Sequence, residues 1–412
     1  MSGRLSMKRL CAIIIFLLLS VLYVAAQQSF TDSLLAVAAS NQADTVRLQA
    51  LQELGTYYME SDPVRGIGYA QQMLQLATTA GDSSYIATAY QLMGICYDYK
   101  NDLDSCLYFL HVADTIHLLR NKPESRSHVI SDMALAYYLR GIYELSLRHH
   151  LQALALRRQY GNKQYVSKTL NNIGLLYKQR KDYANAIVHY RESIAIKEEL
   201  QDERGLVNTY MNLGSLYQTL KQYDSAYTYA TKSYELAVKL QLKQDIAGAG
   251  SNRGEALYAM DRLPEAEKEF LTALGIAGQS GCRDCLCTVY HGLGNIARKK
   301  NDLSQALSYF SKGLQLSTQM NRPQLQLTFY EDLAGCYAHM GRYKPAYLYR
   351  DSAAQLSQQL LNAENLRQIN EMTALHATAE KEKEIARLQA EKTANAIETR
   401  RRVRERNYFI LA

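Results

Sequence analysis

Along residues 171–196 (NNIGLLYKQRKDYANAIVHYRESIAI) apolar side chains recur at helical spacing, break at Lys181 and Asp182, and then resume at the same spacing. This pattern predicts two amphipathic helices joined by a tight turn. One such pair cannot bury its apolar faces alone, so the pattern should recur along the chain. It does. From Gly174, steps of 40 residues reach Gly214, Gly254, Gly294 and Ala334 forward, and Ala134 and Gly94 backward, with Gly55 one residue off the step. Twelve residues beyond these positions stand Cys106, Ser146, Ala186, Ala226, Ala266, Ala306 and Ala346, all small. Nine beyond stand Leu103, Tyr143, Tyr183, Tyr223, Leu263, Leu303 and Tyr343, all bulky. Small residues where two helices must meet, kept at one period, define an array of helical hairpins.

The punctuation keeps the same step. Breaks between repeats fall at Gly81, Asn121, Gly161, Gln201, Gln241, Gly281 and Asn321; Gly and Asn tolerate the left-handed conformation that ends a helix. Asp102, Asp182 and Asp302 stand where they can cap second helices. Pro63, Pro264 and Pro345 fall in first turns of second helices, where a missing N–H costs least, while Pro123 and Pro323 read as linker residues before first helices. Beyond Pro345 the chain has neither Gly nor Pro, so the last helix is expected to run on toward Arg406, roughly 90 Å at the usual rise. Leu361, Leu366, Ile369, Met372, Ile385 and Leu388 give it an imperfect apolar stripe, which suits a stalk or coiled coil and allows a homodimer.

The small residue, the Tyr three positions on and the Ala twelve on, as in LNNIGLLYKQRKDYANAI and YMNLGSLYQTLKQYDSAY, resemble the tetratricopeptide repeat. The resemblance covers about 41–359, with a period longer than the family's common one. It implies an all-α, right-handed α-solenoid of hairpins with a period of about 40 residues, some eight in number, followed by a long C-terminal helix or coiled coil. It also implies that first helices line a concave face on which extended peptides lie. Asn172, Asn212 and Asn252 recur two residues before the small position, and side-chain amides can bond a peptide backbone as both donor and acceptor. Lys168, Asn171, Lys178, Asn208, Gln218 and Arg298 are expected on the same side. The alternative is that the asparagines bond the adjacent repeat and set the pitch of the array.

Net charge changes the picture only at the ends. The formal charge is +7. Arg4, Lys8 and Arg9 lie before the first apolar run, and five arginines against Glu405 lie within 400–406; together these account for all of it. The repeats are therefore electroneutral, which argues against a general nucleic-acid surface. Lys8 and Arg9, the uncharged stretch 10–24 and then Ala25, Ala26 and Gln27 read as a signal peptide ending at residue 26, because the apolar run is short for a membrane span; the alternative is an uncleaved anchor.

No motif carries catalysis, and no cofactor is expected: there is no HExxH, no phosphate-binding Gly-rich loop, and the recurring glycines read as helix contacts. The one local cluster is Cys282, Cys285 and Cys287 with His291. Residues two apart on a helix face different ways, which weakens a zinc site. Packing cysteines or a Cys282–Cys285 disulfide are the other readings, and the sequence leaves the pairing open. The tyrosine ladder, Tyr97, Tyr137, Tyr177, Tyr217 and Tyr337, reads as packing between helices.

The expected organisation is a signal peptide over 1–26, repeats over 27–359, a helical stalk over 360–406, and the beginning of a membrane segment over 407–412. This order resembles the extracytoplasmic sensor half of bacterial membrane sensor histidine kinases and regulators. The resemblance implies an exported, membrane-anchored domain that binds a peptide or protein and relays through its last helix, with no enzymatic activity in these residues. The arginines of 400–406 would stand on the outer side of that span, against the positive-inside rule. The alternative is an exported scaffold whose basic tail rests on anionic lipid, with no signalling output.

Overall fold

In a computed structural model, described for residues 30–411, every regular element is a helix. The leader reading lies outside the described residues. After α1 (30–38) follow α2 (Asp44–Ser61), α3 (Pro63–Ala80), α4 (Ser83–Tyr99), α5 (Leu103–Leu119), α6 (Pro123–Leu139) and α7 (Tyr143–Gln159). Next come α8 (Lys163–Gln179), α9 (Tyr183–Glu199), α10 (Glu203–Thr219), α11 (Tyr223–Lys239) and α12 (Lys243–Ala259). The last are α13 (Leu263–Ser280), α14 (Arg283–Lys299), α15 (Leu303–Gln319), α16 (Pro323–His339) and α17 (Tyr343–Leu411). From α2 onward an even-numbered helix and its successor form one hairpin.

A single backbone device sets the beat. Positive φ recurs at Gly81, Asn101, Asn121, Gly141, Gly161 and so on, every 20 residues to Gly341. Each such residue ends a helix, and the next N–H reaches back to the last turn, as Asp102 does to the Tyr97 carbonyl and Asp182 to that of Tyr177, both near 3 Å. These bonds satisfy carbonyls that the helix end would leave without partners. Gln201 and Gln241 adopt the left-handed conformation as Gly and Asn do, and so do Lys181 and Lys221 within hairpins. Asp102, Asp182 and Asp302 accept from the backbone of Ser105, Asn185 and Gln305. Pro123 and Pro323 differ from the sequence expectation: they are the first residues of α6 and α16, where a fixed φ suits the helix start.

The chain divides into two compact units, one of 30–139 with 148–161 and the other of 140–147 with 162–411. In the first, Leu48, Leu51 and Met73 form one core cluster and Cys106, Leu110, Val129 and Met133 another. In the second, aromatic rings lock into the glycine positions. A Cβ on Gly174 would meet the Tyr190 ring at 2.8 Å, and one on Gly294 the Phe310 ring at 2.4 Å. The Gly column thus receives a side chain 16 residues on, in the facing helix, rather than only the small residue 12 on. The tyrosine ladder is packing of the same kind: Tyr97 stacks on Phe109, Tyr177 on His189, Tyr217 on Tyr229 and Tyr337 on Tyr349, each pair within a hairpin and 5.3–5.7 Å apart.

Cys282 and Cys285 form a disulfide across the first turn of α14, while Cys287 stays a free, buried thiol raised to about 11 by burial. The bridge closes so short a loop that chain entropy assigns it only about 2 kcal/mol. Cys282→Ser should therefore lower unfolding stability by about 2 kcal/mol or less, and hydrogen exchange should show the loss confined to the start of α14. A loss spread over the whole second unit would contradict this.

α17 is continuous for 69 residues, roughly 100 Å, so the stalk grows out of the last hairpin without a break. Among the described residues no helix is long and apolar enough to cross a membrane. The backbone is helical through Leu411, and the side chains of 401–412 lie outside what is described.

Candidate ligand groove

In these hairpins first helices touch successive first helices: α8 meets α10, α10 meets α12, α12 meets α14 and α14 meets α16. Among the described contacts no second helix touches the second helix of the next hairpin. The face shared by first helices is therefore the closely spaced one, where side chains from several hairpins converge.

The same bond register recurs on the first-helix face within each unit. In the first unit Gln91 Nε2 donates to Asp132 Oδ2 at 2.6 Å. In the second, Asn212 Nδ2 donates to Asn171 Oδ1 at 3.2 Å, and His291 Nε2 lies 3.2 Å from Asp332 Oδ2 without hydrogen-bond alignment. Each pair is 41 residues apart and joins one first helix to the next. Burial pushes the Asp132 carboxyl up to about 6, against the opposing bond from Gln91.

The second unit holds all nine groove residues expected from sequence. Asn171 and Asn212 bond each other, so these two tie neighbouring helices together. Lys178 is half-buried, donates to Ser215 Oγ at 2.9 Å, and is pushed down from the ordinary lysine range by burial. Gln218 is half-buried and its Oε1 is enclosed with no hydrogen-bond partner. Asn252 is half-buried, whereas Lys168, Asn172 and Asn208 are exposed, with the Lys168 ammonium 5.6 Å from the Tyr165 ring. Arg298 stands apart from the asparagines, donating to Asp332 Oδ1 at 2.8 Å and Asn295 Oδ1 at 2.6 Å.

Sequence reasoning missed the densest part of this face. His291 and Asn295 on α14 and Asp332 on α16 form a polar cluster with Arg298, and Glu255 on α12 lies near His291. Asn295 Nδ2 lies 3.1 Å from His291 Nε2, and burial raises the Glu255 carboxyl while nearby His291 opposes the rise. A signal was available: Asp332 continues the column of Asn172, Asn212 and Asn252 by two further steps, but with a changed residue type. Chemically, the face offers a cation with only a neutral partner at Lys178, an unsatisfied amide carbonyl at Gln218 and a carboxylate at Glu255. Such groups can pair with polar backbone and with charged side chains.

One tetratricopeptide repeat model matches residues 126–199 and 245–319, and a second matches 207–239. No curated relative matches the chain. Among solved structures, the apo quorum sensor NprR from B. thuringiensis is similar at a TM-score of 0.59 and 15% identity, covering 85% of this chain and 99% of that one. Aspartyl phosphate phosphatase F from Bacillus subtilis gives 0.57 at 14% identity, with 70% and 75% covered. A Rap protein complexed with competence and sporulation factor gives 0.50 at 11% identity, with 76% and 99% covered. The chain is thus an all-α array carrying tetratricopeptide repeats, a protein-interaction fold.

Proposed function

We propose that this chain is an exported sensor domain that binds an extended peptide or protein segment on the first-helix face of its second unit, and that α17 relays the event. The observation that carries the reading is the run of half-buried polar groups, Lys178, Gln218, Asn252 and Glu255, on successive first helices. Burial of such groups costs free energy unless partners are supplied, and a bound backbone supplies them. The likeness to a quorum sensor and to a Rap protein complexed with a factor supports a peptide or protein partner. Membrane attachment through the segment beginning near Tyr408, and pairing of two copies along α17, complete the proposal. Leu361, Leu366, Ile369 and Met372, all exposed, support the pairing.

Selection of displayed random octapeptides on the purified protein tests the binding. Selected peptides should lose about tenfold or more in affinity on Lys178→Glu, because a reversed charge in a half-buried groove turns attraction into repulsion. If no peptide is selected, or if selected peptides bind Lys178→Glu and Glu255→Gln unchanged, the groove is not the site. Export is tested separately by N-terminal sequencing of the mature protein, expected to begin at Gln27.

A further inference from the structure

The second helices α5, α9 and α15 are capped by an aspartate immediately before their first residue. At α7 that place is taken by Ile142, which is buried and offers no side-chain acceptor. The acceptor comes instead from α17, 227 residues further on: the Glu144 N–H donates to Glu371 Oε1 at 2.8 Å. One turn earlier on α17, Arg367 Nη1 donates to the Gly141 carbonyl at 2.7 Å, and its guanidinium lies 4.8 Å from the centre of the Tyr143 ring. Glu364 steadies Arg367 through its Nε at 2.8 Å, and Arg180, just beyond α8, pairs with the Glu144 carboxylate at 2.8 Å. The approach is close: a Cβ on Gly141 would fall 2.5 Å from Arg367 Cδ, and Gly141 also holds a φ of +73°. Met372 and Leu375 line the same recess beside Gln179. All of these residues belong to the second unit.

We propose that Arg367 and Glu371 form a clasp that docks α17 on the tip of α7, and that opening this clasp frees α17 to change its direction. The inference rests on the reading of α17 as the relay. α17 is rooted on α16 through the Tyr337–Tyr349 stack, so the clasp closes a loop through the hairpins from α8–α9 to α16–α17. In a repeat array small shifts between neighbours add along the row. Bonds of 2.7–2.8 Å are lost beyond about 3.5 Å, so an accumulated shift of roughly 1 Å opens them. A groove ligand that re-spaces the first helices thereby acts on a contact it does not touch.

The test needs no ligand and so stands apart from peptide binding. In the full chain, spin labels at Val188→Cys on α9 and Leu388→Cys on α17, both exposed in the native protein, report the direction of α17. The native background should give one narrow distance distribution, Arg367→Ala with Glu371→Ala a broad one, and Glu371→Gln, which keeps a carbonyl acceptor, an intermediate one. The amides of 144–147 should exchange about tenfold faster in the double variant, while those of α12–α13 stay unchanged. A broad distribution in the native background, or a narrow one in the double variant at unchanged helicity, overturns the clasp.

Discussion

Replacing Phe270 with alanine is expected to cost about 3–5 kcal/mol, the largest effect of any single substitution considered for this chain. The ring is fully buried on α13. It lies between two glycines: a Cβ on Gly254 of α12 would meet it at 2.8 Å, and one on Gly292 of α14 at 2.3 Å. Phe270 therefore joins the two helices of its own hairpin and joins that hairpin to the next. Both opposing positions are glycine and offer no side chain of their own to fill the void, so the cavity term adds to the lost transfer term. Stability in repeat arrays is a sum of hairpin and nearest-neighbour terms, so weakening one interface should uncouple what lies on either side. Urea unfolding followed by hydrogen exchange should show α12–α14 opening first, with a smaller slope than in the parent. A cost under about 1 kcal/mol, or unfolding that remains a single step, would mean that Phe270 is not the pin between these hairpins.

The same residues show why so much of the fold could be read from sequence. The glycine column needs no knowledge of its partners, because an absent side chain marks a close approach whatever fills it. Its partner column, Leu110, Tyr190, Ala230, Phe270 and Phe310, varies in size and was not visible as a ladder. The turns were legible at Gly81, Asn121, Gly161, Gly281 and Asn321, where the residue type fits the left-handed conformation. At Gln201 and Gln241 only the period betrayed it. The groove was legible in part. A repeated asparagine is conspicuous, but Asn171–Asn212, His291–Asp332 and Gln91–Asp132 share a geometry and not a residue type. Contacts such as Glu371 with Glu144 leave no local signal, since a cap supplied from 227 residues away looks in sequence like a missing cap.

A second column carries the last large effect. Ala77, Ala237, Ala277 and Ser317 are buried at steps of the same period, yet His117, Arg157 and Lys197 occupy equivalent places and are buried too. Lys197, on α9, donates to Thr209 Oγ1 at 2.6 Å and to the Gly205 carbonyl at 3.2 Å. Burial pushes its ammonium down to about 8, against the opposing attraction of Asp202. A base whose folded pKa lies below its unfolded one binds fewer protons in the folded state between those values. Stability then rises with pH across the window from about 8 to 10.5, and the penalty is fully present below it. Its ceiling at neutral pH is about 3 kcal/mol. Lys197→Met keeps the stem volume and removes the charge, and Thr209 Oγ1 keeps its own bond to the Gly205 carbonyl at 3.0 Å, so no buried donor is orphaned. The variant should gain about 1–3 kcal/mol at pH 7, with the advantage shrinking toward zero by about pH 10.5. Urea midpoints of the two proteins at pH 7, 9 and 10.5 decide it. An advantage that does not change with pH would show that packing, not the buried charge, separates them. A loss at pH 7 would show that the bonds to Thr209 and Gly205 outweigh the cost of burying the ammonium, and that this repeat holds its basic residue for stability.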